Sequence, residues 1–258
     1  MTKKKQKKRG RLIRLLFIFF FLILIILYLQ SPLSKIQEIR VSGNERLTDA
    51  QVIGKSGLQV GRSIFILPSS IAEKLKKDPE IKSAQVFFRF PSGFLLKVKE
   101  NKIVALLRKD GGLQPILENG QLLTSGEKVN EDLPILSNWN SLEDLPSFCS
   151  ELSQLKPEVM KEISEIRSAA TPSDRYKVEV YMKDQFEVET TALHFSKYMN
   201  LYPYIKEKLK GKEPGVITMN ESGTFYISYK ELLSPKTQEQ NPPGQNPPEQ
   251  KNVGTHTP

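Results

Sequence analysis

The sequence is poor in the groups that carry out covalent chemistry. Its 258 residues include one cysteine, Cys149, and two histidines, His194 and His256. A single cysteine excludes an intrachain disulfide and a cysteine-based zinc cluster. Cys149 falls on the apolar side of a helical pattern and reads as packing. Neither histidine has a partner at metal-ligand spacing; His194 reads as a surface or helix-cap residue, and His256 lies in a polar tail. Ser153-Gln154-Leu155-Lys156 fits the Ser-x-x-Lys pattern, but no Lys-Thr-Gly accompanies it. Gly54 and Gly57 lack the rest of a phosphate-cradling loop. The carboxylates Glu118, Glu127, Glu131, Asp132, Glu143 and Asp144 are scattered and read as solvated. Together these absences favour a binding or scaffold protein, with no catalytic residue, cofactor or metal expected.

The chain also lacks acid at one end. Residues 1–14 carry Lys3, Lys4, Lys5, Lys7, Lys8, Arg9, Arg11 and Arg14 with no acidic residue, so eight of the nine net positive charges sit there. The remainder is almost neutral and offers no surplus for neutralising phosphates, which excludes nonspecific nucleic-acid binding. Leu15–Ser34 is uncharged and its first part is nearly all Leu, Ile and Phe. About 20 apolar residues are what a helix needs to cross a bilayer. Such a helix also satisfies its own backbone groups. Residues 31–45 carry only Lys35, Glu38, Arg40 and Glu45, so the positive-inside rule places the N-terminus in the cytoplasm and the body outside. The span exceeds a signal-peptide core of about 7–15 residues and has no small-residue cleavage site after it. It therefore reads as a retained, single-pass anchor.

The expected organisation is a basic arm at 1–14, a transmembrane helix at 15–34, an α/β unit at 35–100, a β-rich unit at 101–233 and a disordered polar tail at 234–258. In the first unit a strand leads to Ser42-Gly43-Asn44. Thr48 with Gln51 and Ser70 with Glu73 have the spacing of capping boxes for two short helices. Two strands, Ile81–Phe90 and Phe94–Glu100, flank Pro91-Ser92-Gly93; Phe94, Leu96 and Val98 share one face. In the second unit, short strands are expected at Ile103–Leu107, Leu113–Leu117 and Gln121–Thr124. An apolar link follows at 133–136, and a helix carries Leu142, Leu145, Phe148, Cys149, Leu152 and Leu155. Strands are expected after Ile163, around Val178–Met182 and around Phe186–Thr190. One helix through Phe195, Met199, Tyr202 and Leu209 is expected to kink at Pro203. Strands at Val216–Met219 and Thr224–Tyr229 close the unit. The tail, rich in Pro, Gln and Asn, cannot bury enough apolar surface to offset its ordering entropy.

The strand Thr224, Phe225, Tyr226, Ile227, Ser228, Tyr229 is the best binding candidate. No later strand follows it, so its edge can accept a partner strand through main-chain hydrogen bonds. Alternation places Phe225, Ile227 and Tyr229 toward the core and Tyr226 and Ser228 outward.

Several segments resemble the DivIB/FtsQ family of bacterial division proteins. They are the basic arm and span, Ile36-Gln37-Glu38-Ile39-Arg40-Val41-Ser42-Gly43-Asn44, Asp78-Pro79-Glu80-Ile81 and Phe90-Pro91-Ser92-Gly93-Phe94. The likeness continues in Leu133-Pro134-Ile135-Leu136 and Gly215–Met219 with Phe225–Tyr229. After the hairpin, Glu100, Val104 and Ala105 fit that family's junction, while Asn101 and Ile103 stand where it often has Arg and Pro. The polar tail is closer to the DivIB branch. The resemblance implies an α+β protein with a POTRA domain followed by a β-domain, and a non-enzymatic role at the septum. It implies FtsL-like and DivIC/FtsB-like bitopic partners, and a link to a septal penicillin-binding protein and an FtsW-like polymerase, besides membrane lipid. It assigns the last strand to partner binding, with Lys197, Tyr198 and Tyr202 bordering the same groove. The alternative is a POTRA-bearing export or chaperone component, which usually carries such units in series.

Overall fold

The computed structural model describes residues 3–123, 132–139 and 144–234, with side chains from residue 13 onward. Helix α1 (Lys3–Gln30) begins inside the basic arm and ends before a 3-10 turn at Pro32–Ser34. This corrects the expected limits: residues 3–14 continue the helix backbone, and Pro32 breaks it four residues early, because a proline ring clashes with the carbonyl one turn before. Ile13–Gln30 is long and apolar enough to cross a membrane, and none of its residues is buried within the protein. The expected tail beyond residue 234, with His256, lies outside the described residues, as do Thr124, Glu127, Glu131, Leu142 and Glu143.

The described residues fall into two compact units, one of those up to 103 together with 117–122, the other of those in 104–116 and from 123 onward. The first orders as β1 (Glu38–Ser42), α2 (Asp49–Ser56), α3 (Pro68–Lys76), β2 (Ile81–Arg89) and β3 (Gly93–Glu100). Its sheet runs β1-β3-β2, with β1 parallel and β2 antiparallel to β3. Phe94, Leu96 and Val98 on β3 join Ile36, Val52, Ile71 and Leu75 in one core. Thr48 and Gln51 form the expected capping box on α2. Ser70 does not cap α3: Leu67 holds the cap position and Pro68 opens the helix, where its missing N–H costs nothing. Gly43, with φ +83°, passes so close to β3 that a Cβ would lie 2.3 Å from Val98 O.

Charged groups close the loops of this unit. The Glu100 carboxylate accepts the N–H groups of Glu45, Arg46 and Leu47. Lys55 reaches Asp78 at 2.6 Å and Glu80 at 2.9 Å, and Arg46 also meets Glu80. Burial alone would raise the Glu80 carboxyl, but the hydrogen bonds from Lys55 and Arg46 outweigh it and hold it below the usual range. Asn101, at the junction, donates to Pro79 O at 2.7 Å.

The second unit adds β4 (Ile103–Lys109), β5 (Gly112–Leu117), β6 (Ile135–Ser137), α4 (Leu145–Leu152), α5 (Pro157–Glu162), β7 (Ile163–Ser168), β8 (Lys177–Met182) and β9 (Glu187–Thr191). It ends with α6 (Phe195–Met199), α7 (Tyr202–Lys208), β10 (Gly215–Asn220), β11 (Gly223–Ser228) and α8 (Tyr229–Leu232). Its sheet runs β11-β10-β9-β8-β7-β6-β4-β5. One row of cross-strand neighbours, Leu107, Leu136, Ile166, Val180, Val188 and Ile217, is wholly buried. Phe148, Cys149, Phe195, Met199 and Tyr202 from the helices are buried too, with Phe148 stacked on Trp139 and edge-on to Phe195. Three expectations change here. The helix expected to kink at Pro203 is two helices, because Pro203 starts α7 rather than bending a longer one. Gln121–Leu123 is no strand but a return that hydrogen-bonds back onto Pro115 and Leu117. Tyr229 leaves the last strand and opens α8, where Ser228 and Glu231 form a capping box.

Candidate partner-binding edge

Strand β11 is held on one side only. It pairs antiparallel with β10 from Gly215↔Ser228 to Asn220↔Gly223, and no other described strand lies beyond it. Gly215 permits the approach: a Cβ there would lie 2.2 Å from Ile227 O and 2.7 Å from the Ser228 Cα. The Tyr226 hydroxyl donates to Glu213 O.

The phase of β11 is opposite to the expected one. Ile217 and Met219 are buried, and their partners Tyr226 and Thr224 share that face, as does Ser228 opposite Gly215. Phe225 and Ile227 instead lie with Thr218 and Val216 on the other face, where Phe225 is 58% exposed. Thr224–Tyr229 alternates apolar side chains with Tyr and small polar residues, so both phases put an aromatic ring inward. The register with β10 decides between them, and β10 is fixed in turn by Ile217 beside Val188.

Lys197, Tyr198 and Tyr202 do not gather at this edge as an exposed border. Tyr202 is 1% exposed and its hydroxyl donates to the Asp184 carboxylate at 2.8 Å. Burial and that carboxylate push its ionisation far above the usual tyrosine range. Tyr198 is buried, while exposed Lys197 rests over its ring. The sequence period that joins Phe195, Met199 and Tyr202 already marks a core stripe. The residues that border β11 are Leu201, Tyr204, Ile205, Lys208 and Leu209, which with Thr224 and Tyr226 line a groove of about 400 Å³. Sequence reasoning missed Leu201, Tyr204 and Lys208, which are exposed at three- and four-residue steps opposite the buried stripe.

The sheet face that carries Phe225 and Ile227 continues into charge. Glu179, Glu187 and Glu189 place carboxylate oxygens within 4.8 Å of one another, the one such acidic group among the described residues. Lys177 meets Glu189 at 3.0 Å and Arg167 lies 4.0 Å from Glu179, so the cluster is balanced by its own neighbours. Burial, then Glu179 and Glu189, raise the Glu187 carboxyl above its usual range.

The other sequence candidates stay separate. Ser153 ends α4 with its hydroxyl on Ser150 O, and the Lys156 N–H donates to Asn200. Cys149 is buried, and burial pushes its thiol up to about 12. His194 is an exposed residue at the N-cap of α6, with φ 58° and no side-chain cap bond.

An N-terminal helix long and apolar enough to cross a membrane, a β-α-α-β-β unit that follows it and a mixed eight-stranded sheet define an α+β protein of the POTRA class. Residues 34–101 match the POTRA domain, FtsQ-type, and residues 105–220 match the C-terminal domain of cell division protein FtsQ/DivIB. The chain is 40% identical to cell division protein DivIB of Bacillus cytotoxicus over 193 residues, covering 73% of this chain and 74% of that one. It is 33% identical to DivIB of Geobacillus kaustophilus over 230 residues, 88% of each chain. With DivIB of Bacillus subtilis it shares 29% over 228 residues, 88% of this chain and 86% of that one. The chain belongs to the FtsQ/DivIB family of cell division proteins, which are not enzymes.

Proposed function

We propose that this protein is a single-span scaffold of the division septum that captures a partner strand on the outer edge of β11. The basic arm stays in the cytoplasm and both folded units lie outside. The bound partners are FtsL-like and DivIC/FtsB-like bitopic proteins, through which the chain helps to regulate a septal penicillin-binding protein and an FtsW-like polymerase. The observation that carries this reading is that edge, which no described strand covers. β11 has no proline and no charge along Gly223–Ser228, the features that normally blunt an edge. Beside it runs the groove with Tyr204 and Leu201. An added strand would gain main-chain hydrogen bonds from β11, and its alternate side chains could enter that groove.

The test is co-purification of the full chain with a tagged DivIC-like partner. Ile227→Pro and Tyr226→Pro fall on alternate backbone phases, so one of them removes an outward N–H. At least one is expected to abolish capture while the first unit stays folded. Capture that survives both substitutions refutes edge pairing. A fluorescent fusion is expected to form a band at midcell; a uniform envelope signal would instead favour an export component.

A further inference from the structure

The first unit presents exposed apolar residues at the end from which the chain leaves the span. Leu33 (44% exposed), Val60 (65%), Phe65 (62%), Leu67 (72%) and Phe90 (87%) come from the post-span turn, the α2–α3 loop and the tip of the β2–β3 hairpin. Isolated exposed apolar residues are ordinary, but a set gathered on one end marks an interaction surface.

Hydrogen bonds tie the post-span turn to the end of α1 and the other two segments to residues 34–37, which follow it. The Ser34 hydroxyl donates to Leu29 O and Ser31 O. Ile64 N–H donates to Ser34 O, Ile36 N–H to Arg62 O, and Gly61 N–H to Ile36 O, so the α2–α3 loop is stitched to residues 34–36. Gln37 N–H donates to Ser92 O, which brings the hairpin tip to the same place. The Phe65 ring packs edge-on to Tyr28, with centroids 6.2 Å apart. Tyr28 belongs to the last turn of the Ile13–Gln30 apolar stretch. The polar zone of a bilayer is about 5–8 Å thick on each side of the hydrocarbon. A ring in contact with Tyr28 therefore lies within that zone when α1 crosses the membrane. Lys35 and Arg62 flank the apolar set and are exposed, suited to anionic headgroups, while exposed Arg89 lies 3.9 Å from the Glu38 carboxylate. The parallel strands β1 and β3 both start at this end and run away from it.

We propose that the α2–α3 loop and the β2–β3 hairpin tip of the first unit insert into the outer membrane interface, with Phe65, Leu67 and Phe90 among the lipid headgroups. The inference rests on α1 being a membrane span. Lipid is the occupant because the apolar set is continuous with the span through the Tyr28–Phe65 contact. The first unit is then held at a fixed height and tilt rather than hanging on a free tether.

The test uses the full chain reconstituted in vesicles of phosphatidylcholine and phosphatidylglycerol. Single cysteines are introduced by F65C, F90C, A50C or L22C and labelled with a polarity-sensitive dye. Native Cys149 is buried and its thiol is suppressed, so labelling is selective. Ala50 lies in the first turn of α2, past the opposite end of β1, and Leu22 lies in mid-span. Dyes at 65 and 90 are expected to shift to the blue, to be quenched by lipids with a shallow nitroxide and to resist aqueous iodide. The dye at 50 is expected to behave in the opposite way. Iodide quenching at 65 and 90 equal to that at 50, with the dye at 22 still quenched by deep nitroxides, overturns the inference and leaves the span intact. Protection from iodide without lipid quenching overturns it in favour of a protein cover. Loss of deep quenching at 22 removes the span reading and the inference with it. F90C does not touch the Tyr28 contact, so it decides the matter even if F65C perturbs the fold.

Discussion

The two ends of the eight-stranded sheet are finished differently. At one end β5 contains Pro115, which has no N–H to offer, and the chain returns over it: Leu123 N–H donates to Pro115 O and Leu117 N–H to Gln121 O. At the other end β11 has neither proline nor charge, and no described strand covers it. Natural sheets blunt their edges because an unpaired ladder invites addition. One edge here follows that practice and the other does not. The exception is thus a property of β11 rather than of the sheet, and it is the ground for the proposed partner capture there.

The comparison can be broken most directly at Phe225. Phe225→Lys places a charge on the exposed edge of β11, and capture of a DivIC-like partner is expected to fall at least about tenfold, a change of about 1.4 kcal/mol. Stability should stay within about 0.5 kcal/mol, as for exposed surface substitutions. An unchanged pull-down would make the two edges equivalent after all.

Next in size is Gly215→Ala. The added Cβ meets Ile227 O and the Ser228 Cα, so β11 must shift, at a cost of about 1–3 kcal/mol. Hydrogen exchange should show lost protection along β10 and β11 while Val180 and Val188 keep theirs. Protection that survives on β11 would mean the edge strand does not depend on that close approach.

Tyr226→Phe removes the hydroxyl donated to Glu213 O and is expected to cost about 1 kcal/mol in chemical denaturation. A loss several times larger would show that the ring, rather than the bond, fixes the edge.

The smallest effects distinguish the two ends by pH. Just past β5, burial would raise the Glu118 carboxyl, but Lys82 and the Lys102 N–H hold it below the usual carboxylate range. Its folded pKa is depressed, so its contribution is present above about 4.5 and is lost as pH falls through the folded value. On β9, two strands in from β11, Glu187 is raised by burial and by Glu179 and Glu189. Its contribution is present below about 4.5 and is lost as pH rises through the raised value. Glu118→Gln should flatten the acid limb of a stability–pH curve. Glu187→Gln should instead add about 0.2–1 kcal/mol at neutral pH by relieving like charges across the ladder. Identical pH responses of the two variants would deny the difference.

Much of this was legible from local patterns. Phe94, Leu96 and Val98 alternate with Lys97 and Lys99, and the strand period alone puts the first three inside. Thr48 and Gln51 specify the start of α2 through two reciprocal hydrogen bonds. The bordering helix was legible only in part. The core stripe of Phe195 and Met199 on α6 with Tyr202 on α7 follows from spacing, and it places Tyr202 inside rather than at the groove. Leu201 and Tyr204 became candidates only when α7 was seen beside β11. The junction was hidden because Asn101 acts through the carbonyl of Pro79, 22 residues earlier.

The sequence by itself determined the long apolar stretch, the family resemblance and the alternation of the strands, since each depends on residues close together in the chain. Tertiary structure decided which face of β11 looks outward. Both phases of Thr224–Tyr229 place an aromatic ring inward, so local hydrophobicity does not separate them. The register that sets Ile217 beside Val188, and Tyr226 opposite Ile217, selects one, because a shift of one residue would turn every side chain of the strand to the other face.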